Sequence, residues 1–291
     1  MNRSLPRALA AAAALICAVA LTAAPAMAAR HGGDGPLTLR MKFKAGAVTK
    51  YKVTMLMDMA VPGEHAKSAV MHALTGMTMT QKVDRALPNG GGVVTITYGK
   101  PVITMNGQPV HAPTTISNLQ PTTLEYDARG KVKTMNRAGA AAGPGPMNSM
   151  LGSANGVSMP GMIPGHPVKV GDTWWSSLPV PMLGGNLAYK YTLVGMGNVN
   201  GRRVAHIRMA LRMPLTKPVG PGQSGAGTPP GGISGVLTGA GDVDFAVDEG
   251  ILVRTTMRTN ITPHTSGGAK PAGAIPPSVN MHMELEVKLV P

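Results

Sequence analysis

Apolar and polar residues alternate with a period of two along most of this chain, the pattern of strands with one covered and one solvated face. Leu37, Leu39, Met41 and Phe43 alternate with Thr38, Arg40 and Lys42. Tyr51, Val53, Met55, Met57 and Met59 stand opposite Lys52, Thr54 and Asp58, and Thr75, Met77, Met79 and Val83 predict a further strand. Val94, Ile96 and Tyr98 follow, then Ile103 and Met105 run into an Asn106-Gly107 turn. Leu124 and Tyr126 lead into a turn at Asp127–Gly130, with Val132 beyond it. The pattern returns at Leu187–Leu193, turns at Asn200-Gly201, and continues at Ala205–Met213. Val243, Phe245 and Val247 reach a turn at Asp248-Glu249-Gly250, and Val253, Met257 and Ile261 come back from it. Val279, Met281, Met283, Leu285, Val287 and Leu289 alternate without a break. Asn-Gly steps favour tight hairpins because both residues tolerate positive φ. No amphipathic helix of three turns interrupts the strands, so the expected fold is all-β and antiparallel.

Three stretches break the alternation. Residues 138–166 are rich in Gly, Ala, Pro and Met and oppose both helix and strand, which makes them a linker. Pro214–Gly235 and Ser266–Pro277 are low-complexity loops in the second half. The expected organisation is therefore an N-terminal antiparallel β half at 29–137, the linker at 138–166, and a C-terminal antiparallel β half at 167–291. The halves carry parallel segments: YKVTM at Tyr51 with YKYTL at Tyr189, GGVVTITYGKP at Gly91 with GRRVAHIRMAL at Gly201, and LEYDARGKVKTM at Leu124 with VDFAVDEGILVRTTM at Val243. These point to an internal duplication of two related, curved sheet halves joined by long Gly/Pro-rich loops.

Residues 1–28 do not belong to that organisation. Arg3 and Arg7 supply a basic start, Ala8–Ala24 an apolar stretch, and Ala26-Met27-Ala28 an A-x-A cleavage site after Pro25. This is the layout of a cleavable secretory signal peptide. The apolar stretch sits at the lower limit for a membrane span and is mostly alanine. The expectation is export to the periplasm or the medium, with a mature chain starting at Ala29. Cys17 is the only cysteine and lies within the apolar stretch, so the mature chain has no disulfide, thiolate or cysteine-ligated metal chemistry. Cleavage leaves 25 of the 27 basic residues against 13 acidic ones, a net charge of about +12. That charge suits solubility and attraction to anionic envelope polymers. Nucleic acid is excluded as a partner by the scarcity of stacking aromatics and the absence of a nucleic-acid motif.

The segment PVKVGDTWW, Pro167–Trp175, resembles a P-V-x-V-G-D-T-W motif of exported bacterial β-rich proteins of unknown function. The strand–D-x-x-G–strand pattern at Asp127–Gly130 is similar to theirs as well. The resemblance implies a curved antiparallel β architecture, like that of periplasmic lipoprotein carriers, and implies no activity. Physically, Gly171 permits a tight turn, Asp172 can accept from backbone N–H groups around it, and Trp174 or Trp175 plugs a sheet edge.

Candidate chemistry centres on 22 methionines in a chain with two phenylalanines. Thioethers pack irregular cores and also bind soft metals such as Cu(I). Met147, Met150, Met159, Met162 and His166 form two M-x-x-M pairs and a histidine in the linker, the candidate metal site. His282, Glu284 and Glu286 share one polar strand face, with neighbours about 7 Å apart. No H-E-x-x-H, G-x-S-x-G, P-loop or dinucleotide-binding glycine pattern is present, so the chain reads as non-enzymatic with no cofactor. The leading expectation is an apolar or lipid-like ligand in a methionine-lined concave face. The alternatives are copper handling through the linker and an envelope-associated interaction module. N-terminal sequencing of the protein recovered outside the cytoplasm is expected to begin at Ala29; a mature chain still starting at Met1 would overturn the export reading.

Overall fold

The period-two segments assemble into an all-β structure. The computed structural model describes residues 35–61, 69–110, 119–137, 161–180, 185–217, 232–266 and 281–291. The first half supplies β1 (Val48–Val61), β2 (Ala69–Ala86), β3 (Gly92–Tyr98), β4 (Val102–Met105), β5 (Gln108–Val110), β6 (Thr122–Tyr126) and β7 (Val132–Arg137). The second supplies β8 (Thr173–Val180), β9 (Gly185–Val199), β10 (Arg202–Lys217), β11 (Gly232–Ala246), β12 (Ile251–Ser266) and β13 (Met281–Leu289). No helix occurs among the described residues.

All neighbours are antiparallel, in the order β7-β6-β3-β2-β1-β13-β12-β11-β10-β9-β8, with β4 on β2 and β5 on β4. The two halves are thus one continuous open sheet. They join where β1 pairs with β13, from Tyr51↔Leu289 to Met59↔Met281. Tight turns fall where the sequence placed them. Asn106 and Gly107 have φ of 49° and 79°, and Asn200 and Gly201 have 51° and 77°. The β6–β7 and β11–β12 hairpins share their turn chemistry, each with a glycine in the left-handed region, Gly130 and Gly250. Strands also reach further into the Gly/Pro-rich stretches than the alternation indicates. β10 runs on through Pro214 to Lys217, and β11 starts at Gly232.

Residues 37–43 alternate like a strand but make only one isolated bridge, Leu37↔Val168. They act as a strap. The Met41 N–H donates to the Ala128 carbonyl (3.1 Å) in the β6–β7 turn, and the Lys42 N–H to the Gly250 carbonyl (3.2 Å) in the β11–β12 turn. β6 and β12 stand five places apart in the sheet, roughly 24 Å if it were flat. Adjacent Cα atoms in the strap are about 3.8 Å apart. One short segment can touch both turns only because the sheet curls around it. Phe43 then stacks on Tyr126 with ring centroids 5.8 Å apart.

Four bulges contribute to that curl. They displace Asp84 in β2, Lys133 in β7, Val194 in β9 and Val253 in β12 from their ladders. Each lies toward the strapped end, and a bulge bends its strand and increases the local twist. The bulge also moves Val253 out of the main core, to a small cluster with Val204 and Ala246, although simple alternation placed it with Met257 and Ile261.

Gly250 has φ +67°, and a Cβ there would stand 2.5 Å from the Lys42 nitrogen and 2.8 Å from the Arg40 carbonyl oxygen. Gly107 has similar φ but nothing within 4 Å. Gly107→Ala is expected to cost about 1 kcal/mol from backbone strain alone. Gly250→Ala should cost about 2 kcal/mol more, because the strap must also shift. Urea unfolding of both variants checks this, and equal losses would mean that the strap does not press on the turn.

Candidate functional site

The strap divides the inner face of the sheet into two parts. Near the strap the face is filled. Tyr51, Ile96, Leu124, Tyr191, Leu193, Phe245 and Leu252 are fully buried in one cluster. Trp174, Tyr191 and Tyr189 stack in sequence, with centroids 5.8 and 5.9 Å apart. Burial raises the phenol pKa of Tyr51, Tyr126 and Tyr191 above the ordinary range and pushes Tyr189 up to about 12. Loss of water disfavours the phenolate, so these groups stay neutral.

The Pro167–Trp175 motif builds part of this filled end. Gly171 has φ +96°. The Asp172 carboxylate accepts from the Lys169 N–H (2.8 Å). Val168 is buried beside Leu37, while the Gly171 N–H donates to Leu193 and the Leu193 N–H to Asp172. Trp174 plugs the core and donates its indole N–H to the Met162 carbonyl (3.1 Å). Trp175 faces the other way at 69% exposure, with the Lys190 ammonium 5.8 Å from its ring centroid.

Away from the strap the inner face changes character. Three adjacent strands present three rows: Met55–Leu285–Met257, Met57–Met283–Thr259 and Met59–Met281–Ile261. β2 extends them with Met71, Ala73 and Thr75, and β4 with Ile103 and Met105. Met283 and Thr259 are buried, whereas Met55, Met57, Met59, Met71, Met105, Met257, Ile261, Met281 and Leu285 are all half-buried. No charged side chain stands on these rows. Across the same face on β10, Met209 and Met213 are fully covered, Met209 at 0% exposure. The methionines thus serve two ends of one surface, packed on β10 and open on β1 and β13. The described strand ends Val61/Ala69, Lys217/Gly232 and Ser266/Met281 border the open part.

The outer face carries many charges, and several of them pair across strands. Arg254 donates to Glu286 (3.0 Å) and Arg258 to Glu284 (2.8 Å). His206 lies 2.6 Å from Asp244, and His72 2.7 Å from Asp58. His282 and Arg258 hold the Glu284 carboxyl below its usual pKa. A recess of about 640 Å³ crosses β2, β1, β13, β12 and β11 on this face, bordered by Arg254, Arg258, Glu284 and Glu286 and by the apolar Leu56, Leu74 and Ala240. It is the saddle of a twisted sheet, and its close-set ions already have partners. Although His282, Glu284 and Glu286 share this face as the alternation indicates, cross-strand arginines take both carboxylates. Among the described residues no three His, Asp or Glu side chains are placed to hold a metal ion.

Of the candidate soft-metal residues, Met147, Met150 and Met159 lie outside the described residues. Met162 is 3% exposed and packs in the core, where Ile163 and Pro164 are buried beside it. His166 is exposed. The C-terminal end of the stretch read as a linker is therefore core material. Two further inner-face residues, Thr255 and Thr259, went unremarked in the sequence because the apolar pattern on β12 is interrupted at both.

No family model matches the chain, and no curated protein does. Among solved structures, one of lipovitellin concerned with lipid–protein interactions aligns over 86% of this chain at 10% identity, with a TM-score of 0.49. This chain spans 26% of that lipovitellin chain. DynF, from the dynemicin biosynthesis pathway of Micromonospora chersina, aligns over 87% of this chain and 85% of its own, at 7% identity and a TM-score of 0.23.

Proposed function

We propose that this chain is an exported, non-enzymatic binding protein whose methionine-lined inner face holds an apolar or lipid-like ligand. The observation that carries the reading is the contrast within one face. Its strapped end is filled by aromatic and aliphatic side chains, while Met55, Met57 and Met59 on β1 are only partly buried. Ligand sites are concave and mostly apolar, and the strap contacts require a curled sheet. An unbranched thioether adapts to ligands of irregular shape better than a branched side chain does. Each methylene of a bound chain taken out of water contributes about 0.8 kcal/mol, so a medium-length chain suffices for useful affinity. The absence of charge on these rows favours an uncharged ligand surface, since an unpaired ion there would be costly.

The test is gentle purification followed by native mass spectrometry before and after solvent extraction, with a solvatochromic apolar dye used on the stripped protein. A removable mass and dye binding are expected. Met57→Leu should leave dye affinity within about twofold, a volume-conserving swap. Met57→Lys should weaken it about tenfold or more without lowering the melting temperature, because a half-exposed lysine snorkels. Absence of dye binding by the stripped wild-type protein would end this reading.

A further inference from the structure

Two hydroxyls on β12 are buried without a hydrogen-bond partner, those of Thr255 and Thr259. Both lie on the inner face, about 13 Å apart at the rise of a strand. Their surroundings differ. Thr255 sits in a closed row: it pairs with Val287 and Val243, and Val53 lies beyond, all buried. Thr259 pairs with Met283 on one side and on the other with Gly239, over which the buried Leu211 side chain lies. Half-buried Met57 lies beyond Met283, and half-buried Met257 and Ile261 flank Thr259 along the strand. Thr259 is itself 3% exposed.

We propose that the Thr259 hydroxyl is the polar anchor of the trough and that the ligand is a neutral acyl chain carrying an ester or ketone carbonyl. This rests on the apolar-ligand reading above and narrows it. A hydroxyl buried without a partner costs about 1–3 kcal/mol. Valine has nearly the same shape and occupies neighbouring inner positions at Val53, Val243 and Val287, so packing alone does not call for an oxygen at 259. A carbonyl brought in among the flexible methionines accepts the Thr259 O–H. A carboxylate is disfavoured, because no cation stands on these rows to pair with it. Thr255, enclosed by its valines, makes no ligand contact.

The test uses the full mature chain and two competitors of matched length, methyl undecanoate and dodecane. Each is delivered from cyclodextrin to displace a bound solvatochromic dye. The wild type should bind the ester about five- to tenfold more tightly than the alkane, the value of one hydrogen bond. Thr259→Val should remove that preference by weakening the ester alone, and Thr255→Val should change neither affinity. If Thr259→Val leaves ester and alkane affinities as in the wild type, the anchor is wrong and the apolar trough stands. If Thr255→Val abolishes the preference instead, the assignment to Thr259 is likewise overturned. Failure of both competitors to displace the dye overturns the anchor and the trough together.

Discussion

Two backbone hydrogen bonds from neighbouring residues hold together parts of the sheet that a flat arrangement would keep far apart. Met41 binds the β6–β7 turn and Lys42 the β11–β12 turn. Leu37, a few residues earlier, bridges to Val168 just before β8. The strap thereby ties both ends of the strand order to one short segment. Curvature of the sheet follows from this tie together with the four bulges near it. So does the filling of that end, because the strap lays Leu39 and Phe43 against Tyr126 and the rest of the aromatic cluster.

A sheet curled and plugged at one end has a consequence for the other. Side chains on its inner face converge near the strap and meet each other. Farther away, the same strands carry the same kinds of residue but have less to pack against. Met209 and Met283 find cover, while Met55, Met57 and Met59 remain only partly buried. The outer face has no such division, since its ions pair across strands, as Arg254–Glu286 and Arg258–Glu284 do. Although Leu74 and Val102 are exposed on the outer face of β2 and β4, methionine is concentrated on the inner face. The chain's basic excess sits elsewhere.

Much of this was legible in the residues. Alternation at Tyr51–Met59, Ala205–Met213 and Met281–Leu289 identified strands and the faces they cover, and Asn106-Gly107 and Asn200-Gly201 marked real hairpins. The Gly171 and Asp172 roles followed from turn chemistry alone. What alternation cannot encode is a partner. Residues 37–43 look like a strand because they are extended with one side covered, yet their hydrogen bonds go to turns. Val53 and Val287 read the same whether two halves form two sheets or one, so the β1–β13 seam was invisible. Bulges shift the period by one, which is why Val253 was assigned to the wrong face. Composition also misled at residues 161–166, where a Gly/Pro/Met-rich run contributes Met162 and Ile163 to the core.

The central claim is that one methionine-bearing face is packed near the strap and on β10 and is open to an apolar ligand on β1 and β13. Methyl NMR of protein labelled at the methionine ε-carbons, with a spin-labelled acyl ester added, tests this directly. Broadening strongest at Met55, Met57, Met59, Met71, Met105, Met257, Met281 and Met283, and weakest at Met79 and Met213, is the predicted result. Uniform broadening of all methionines, or none, would contradict it.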